Sequence, residues 1–145
     1  MRIVIAALAL MLADSAGAQT ATDGDTIKLN GTTWRLWGID APELQQHCPD
    51  GWPAGIEAKR FLELFLAQGS VECEYRGRDR YGRSIGLCRA MGRDIGADMV
   101  AIGMAWAFTR YSGDYIEQEK EAVAARRGLH VHDCEKAWDW RARSR

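Results

Sequence analysis

Three short segments stand out for side chains whose types and spacing could do chemistry together: Asp23-Gly-Asp25-Thr26, Trp34-Arg-Leu-Trp-Gly-Ile-Asp-Ala-Pro-Glu43 and Asp79-Arg-Tyr-Gly-Arg83. Asp25 and Asp40 are hard oxygen donors of the kind calcium and magnesium take, alongside backbone carbonyls and water. Glu43 then remains as a free carboxylate to draw a proton from water. Arg35 and Arg83 supply guanidiniums, which offset the charge that builds on a five-coordinate phosphorus. A cation, a base and two arginines suit hydrolysis of a phosphodiester.

Each segment also has an ordinary explanation. Asp-Gly-Asp turns well on solvation grounds alone, and Tyr81-Gly82 fits a hairpin turn. Asp40-Ala-Pro-Glu43 has the spacing of a helix capping box. That last explanation is weak, because Pro49, Gly51 and Pro53 follow closely and suit no helix. Asp40 and Glu43 therefore need another reason to sit together. In a straight strand Arg35 and Asp40 face opposite sides, so they converge only if the chain bends between them. Gly38 permits that bend, and Pro42 fixes the turn beyond it.

The elements that must position these residues follow from periodicity. Thr26–Asn30 alternates as a strand, Asn30-Gly31 is a strong hairpin signal, and Thr32–Ile39 is the return strand. Ala58, Phe61, Leu62, Phe65 and Leu66 follow helical spacing within Glu57–Gln68, with Gly69 as the stop. Val71–Tyr75 and Ile85–Arg89 form a second hairpin centred near Asp79-Arg80. Asp94 caps a short helix running to Gly103, and Met104–Phe108 is extended. Asp114-Tyr-Ile-Glu117 fits a capping box opening a helix that ends at Gly128. The order is hairpin, helix, hairpin, two helices, which suggests an α+β domain on a small antiparallel barrel.

The chain has 145 residues, enough for one domain with a real core. Its N-terminus pairs Arg2 with an apolar run, Ile3 to Ala13, and then Ser15-Ala-Gly-Ala18. That is the pattern of a secretory signal cut after Ala18, and the run is short of the roughly 20 residues a membrane span needs. Residues 1–18 are thus expected to be a signal peptide and residues 19–145 a single domain, secreted or periplasmic. A buried first strand is the plain alternative for the apolar run. Export means an oxidising compartment, so Cys48, Cys73, Cys88 and Cys134, which lack metal spacing, are expected to form disulfides. Cys73 and Cys88 fall opposite each other in the second hairpin. Cys48 and Cys134 pair only by elimination, with two free buried thiols as the alternative.

The net charge is −1, so the molecule as a whole does not announce a polyanion partner. Arginines nevertheless crowd positions 76, 78, 80 and 83, and 141, 143 and 145. Such clusters are usually solvated and are weak evidence for phosphate by themselves.

In their order and separations, DGDT, R-L-x-G-I-D-A-P-E and D-R-Y-G-R closely resemble the staphylococcal nuclease (thermonuclease) family. The resemblance runs from about Asp23 to Gly128, with a Trp138-Asp-Trp-Arg141 tail like that of secreted bacterial members. One motif would say little; three in order are specific. The resemblance implies an OB-type five-stranded barrel with three helices. It implies calcium-dependent endonucleolytic cleavage of DNA and RNA, leaving 3′-phosphates. Asp25 and Asp40 look like the calcium carboxylates, with Ala41 adding its backbone carbonyl. Glu43 looks like the general base, and Arg35 and Arg83 like the guanidiniums on the phosphate. Arg80 and Tyr81 match positions that touch a neighbouring phosphate, and Tyr111 one that approaches a base, where stacking tolerates any sequence.

This chain departs from the family in three places. Only Gln19–Thr22 remain before DGDT if the signal is cut after Ala18, where a full strand is usual. Gly128-Leu-His130 replaces a Gly-Ile/Leu-Trp. The Cys48 loop lacks a nearby second cysteine, for which a bridge to Cys134 would be a substitute. The rival reading is a non-catalytic nucleic-acid- or protein-binding OB-fold module, but such a module should have lost Glu43 or an arginine. A disulfide-stapled structural protein is the third. As a nuclease the chain is expected to act as a monomer without a membrane span, cutting broadly because phosphate contacts carry little base information.

Overall fold

The Asn30-Gly31 turn sets the first register. Both residues have positive φ, 50° and 81°, as a tight two-residue hairpin turn demands. It joins β2 (Thr26–Leu29) to β3 (Thr32–Leu36), with Thr26 opposite Arg35. The computed structural model describes residues 18–144, so the expected signal peptide lies outside the described residues except for Ala18.

The curtailed first strand exists. β1 (Gln19–Ala21) pairs antiparallel with β2, and Ala18 O accepts from Asn30 N. Gln19 compensates for its shortness: Nε2 donates to the carbonyls of Leu66 and Gly69, and Oε1 accepts from Val71 N.

β5 (Val71–Arg78) and β6 (Ser84–Ala90) form the second hairpin, with a bulge between Tyr75 and Gly77. Cys73 sits directly opposite Cys88 and is bonded to it, Cα atoms 4.0 Å apart. β6 also runs parallel to β3, Ser84 beside Trp34 and Ile85 beside Arg35. Asp25 at the head of β2, Arg35 on β3 and Arg83 just before β6 are thereby brought to one end of the sheet.

The sheet path is open, in the order β1, β2, β3, β6, β5, with β7 (Arg93–Asp94) added on β6. A separate pair joins β4 (Ile39–Asp40) to β8 (Trp106–Ala107), where the sequence pointed to one closed five-stranded barrel. Gly38 is the reason. Its φ of 69° turns the chain out of β3 before β4 begins. A Cβ there would also meet the Tyr115 ring, so both conformation and space call for glycine.

Four helices and one 3₁₀ turn occur among the described residues, against the three helices expected. α1 (Ala54–Leu66) buries Ala58, Leu62 and Leu66 against a core that includes Ile27, Leu36, Ile39 and Val71. Each fully buried leucine there contributes roughly 1.5–3 kcal/mol. α1 begins three residues before the expected Glu57. Gly55 resembles loop in the sequence, but it is glycine because a Cβ would lie 1.9 Å from the Glu43 carbonyl. The helix closes at Ala67 in a right-handed conformation, so Gly69 is not its stop.

α2 (Ile95–Ala101) is capped as expected, Asp94 Oδ1 accepting from Ala97 N, and ends just short of Gly103. The capping box expected at α3 (Ile116–Ala124) does not form. Asp114 instead accepts the Trp37 indole N–H at 2.9 Å, and Glu117 pairs with Lys120 on the surface. α3 ends at Ala124, and Gly128 opens the 3₁₀ turn Gly128–His130. α4 (Ala137–Arg143), unforeseen, closes the described chain. It rests on a small second core of Cys48, Ala54, Trp106, Leu129 and Ala137, stapled by the Cys48–Cys134 disulfide. No described helix is long and apolar enough to cross a membrane.

Candidate active site

The bend at Gly38 brings Arg35 and Asp40 together. Arg35 Nη2 donates to Asp40 Oδ1 at 2.9 Å and to the Ile39 carbonyl at 3.2 Å, while Nη1 pairs with Asp25 Oδ1. One guanidinium thus bridges two carboxylates that lie 15 positions apart in the chain. Asp25 Oδ2 accepts from Ala41 N at 2.7 Å, and Thr26 Oγ1 bonds Asp25 Oδ1. Gly24 makes this approach possible, since a Cβ there would overlap those of Ala41 and Ala58.

Above this cluster opens a cleft of about 820 Å³. Asp25, Arg35, Ala41, Glu43, Arg80, Tyr81, Arg83 and Tyr111 all line it, and Asp40 lies beneath, wholly buried. The candidate metal, catalytic and substrate residues named from the sequence therefore line this cleft or lie directly beneath it. Arg83 is held by its own hairpin: Nε donates to Asp79 Oδ2 at 2.6 Å, and Asp79 Oδ1 takes the N–H groups of Tyr81 and Arg83. Arg80 and Arg83 flank the exposed Tyr81 ring at 5.0 and 5.6 Å. Phe108 stands between Tyr111 and Trp138, a chain of aromatic faces along the opposite wall.

The sequence reading missed several members. Arg141 reaches in from α4 and donates to both Asp40 and Glu43. Gln46, wholly buried, accepts from Glu43 N and donates to the Glu135 carbonyl, tying the Glu43 loop to the chain before α4. Phe108, Arg110 and Trp138 complete the walls. One signal for Arg141 lay in the cysteines: a Cys48–Cys134 bridge carries the Arg141 segment to the neighbourhood of Glu43.

The charges differ in balance. Burial alone would raise the Asp25 carboxyl, but the Arg35 charge and the Ala41 N–H hold it below its ordinary value. Burial pushes Asp40 up, hydrogen bonds from Arg141 pull it partly back, and the Asp25 charge adds to the upward push. Asp40 is thus raised chiefly by burial, while the two guanidiniums match the two buried carboxylates in formal charge. Among the described residues no three His, Cys, Asp or Glu side chains gather as a metal cage. Two carboxylates, a backbone carbonyl at Ala41 and water are a donor mix that calcium accepts.

Asp23, at the rim, is pushed up as well. Burial, then the Asp25 charge, raise its pKa from 3.8 to about 6. The unfolded chain loses that proton first as pH rises. Its stabilising contribution is therefore complete below about pH 4, declines between about pH 4 and 6, and is absent above. Asp23→Asn should make the metal-free protein more stable at pH 7 by on the order of 1 kcal/mol, with no gain at pH 4. Denaturant melts in chelator at the two pH values check this; an equal effect at both would contradict it.

A family model described as staphylococcal nuclease homologue matches residues 33–131. The succinoglycan biosynthesis protein ExoI of Rhizobium meliloti is 40% identical over 114 residues, covering 70% of this chain and 59% of that protein. An uncharacterized endonuclease of Haemophilus influenzae is 33% identical over 115 residues, 74% of this chain and 61% of its own length. A micrococcal nuclease of Shigella flexneri is 32% identical, covering all of this chain and 94% of that protein. The chain thus spans about three fifths of the first and second of these relatives. Asp25 and Arg141 fall outside the span matched by the family model.

Proposed function

We infer, for a chain that belongs to the staphylococcal nuclease family, an exported calcium-dependent endonuclease that hydrolyses DNA and RNA with little sequence preference. The observation that carries this reading is the Arg35 bridge between Asp25 and Asp40 beside Glu43, all on one cleft lined by further arginines. The β1-β2-β3-β6-β5 sheet, with the β4–β8 pair beside it, supports reading the fold as the family's five-stranded OB-type barrel.

Asp25 and Asp40, with the Ala41 carbonyl, would hold the calcium ion. When bound, the ion supplies charge that stabilises the pentacoordinate phosphorane. Glu43 takes the proton from the attacking water. Arg35, relieved of part of its carboxylate partners, turns to the phosphate, and Arg83 grips it from the hairpin side. Arg80 and Tyr81 take the next phosphate. Tyr111 offers its exposed ring to a base, which stacks without regard to identity. The two disulfides suit an oxidising compartment, which supports a secreted or periplasmic location, where the protein would act as a monomer.

Digestion of plasmid DNA and of RNA in calcium, followed by end-group analysis, tests the reading. Broad fragment ladders ending in 3′-phosphates are expected. Intact substrates, or cuts confined to one sequence, would sink it.

A further inference from the structure

Arg141 touches two carboxylates that carry different duties in the proposed reaction. Its Nη1 donates to Glu43 Oε1 at 2.7 Å and to Asp40 Oδ1 at 3.2 Å, and its Nη2 donates to Asp40 Oδ2 at 2.8 Å. Asp40 is fixed by its strand and by complete burial. Glu43 stands on an irregular loop with its side chain 39% exposed. Among the described residues no other group bonds its carboxylate.

Arg141 is itself well held. Ala137 in the same helix is wholly buried, Trp138 packs on Trp106 and Phe108, and Cys134 is bonded to Cys48. Gln46 fastens the Glu43 loop to the Glu135 carbonyl. The loop and the tail are therefore clamped twice, by Gln46 through the backbone and by Arg141 through the carboxylates. We propose that Arg141 is a positioning residue, which holds the Glu43 carboxylate at a fixed place relative to Asp40. This rests on Glu43 acting as the base.

The same contact has a second consequence. Arg141 bonds both oxygens of Asp40, so a divalent cation seeking Asp40 must compete with it. Arg35 also bonds Asp40 but is the more enclosed of the two, at 18% side-chain exposure against 33%. Arg141 accordingly yields Asp40 before Arg35 does and keeps Glu43, its own place then held by the packing of α4 and the Cys48–Cys134 bridge.

Two effects of opposite sign follow for Arg141→Ala. Turnover should fall by about 10- to 100-fold as Glu43 loses its fixed orientation, with KM within about twofold of wild type. Calcium should bind several-fold more tightly by calorimetry, because its competitor is gone. Damage to the fold would weaken both. Arg141→Lys, a single ammonium that reaches one carboxylate at a time, should recover part of kcat, and it serves if the alanine variant does not fold. Unchanged kcat, a rise in KM alone, or weaker calcium binding in folded variants would each overturn the inference. A folded wild type that binds calcium but cleaves nothing overturns the proposed function instead, and the calorimetric comparison still decides whether Arg141 competes for Asp40.

Discussion

Glu43→Gln is expected to lower kcat by roughly 100- to 10,000-fold while leaving calcium and nucleic-acid binding in place. Glutamine has nearly the same shape, and its amide oxygen still accepts from Arg141 Nη1, so the loop keeps its clamp. The backbone contacts of residue 43 with Gln46 do not involve the side chain. With the carboxylate 39% exposed, the fold should scarcely register the change. What disappears is the ability to take a proton from water. Single-turnover cleavage, with binding measured in parallel, separates the two. A variant that binds normally and cleaves at the wild-type rate would remove Glu43 from the chemistry.

Arg35→Ala should damage both folding and catalysis. The Arg35 guanidinium is the group that joins Asp25 to Asp40, and both carboxylates are almost fully buried. Removing one partner of a buried pair costs about 3–5 kcal/mol, because the remaining charge is left uncompensated. Arg141 still serves Asp40, so Asp25 bears most of that cost. Saturating calcium should restore more stability to Arg35→Ala than it adds to wild type, since it replaces the missing positive charge and binds only the folded state. Turnover should nevertheless stay down by about 100- to 1000-fold, because calcium cannot reproduce a donor aimed at the transition state. Thermal melts in calcium and in chelator, beside cleavage rates, test both halves. An Arg35→Ala protein as stable as wild type in chelator would contradict the buried bridge.

The parts of the molecule governed by local rules were readable from the chain. Asn30-Gly31 demanded its turn, Cys73 met Cys88 through strand register, and Asp94 capped α2 because its partner lies three residues on. The convergence of Arg35 with Asp40 was readable only as a condition on Gly38, and the positive φ there met it. Elements decided by distant contacts were not. Gly55 belongs to a helix although glycine disfavours one, because the Glu43 carbonyl presses on it. Asp114 leaves its helix uncapped because the Trp37 indole takes its carboxylate. α4 is too short for periodicity to announce it, and Arg141 reaches Asp40 and Glu43 across 101 and 98 residues. The short first strand survives through Gln19, whose side chain bonds backbone groups of Leu66, Gly69 and Val71.

If two buried carboxylates, a loop glutamate and a set of arginines form a calcium-dependent phosphodiesterase site, cleavage must follow calcium occupancy. Nicking of supercoiled DNA by the folded wild-type protein, followed across a calcium titration and set beside the calorimetric binding curve, tests it most directly. Cleavage should be absent in chelator and rise in step with calcium occupancy. No nicking at saturating calcium, or equal nicking in chelator, would contradict the account.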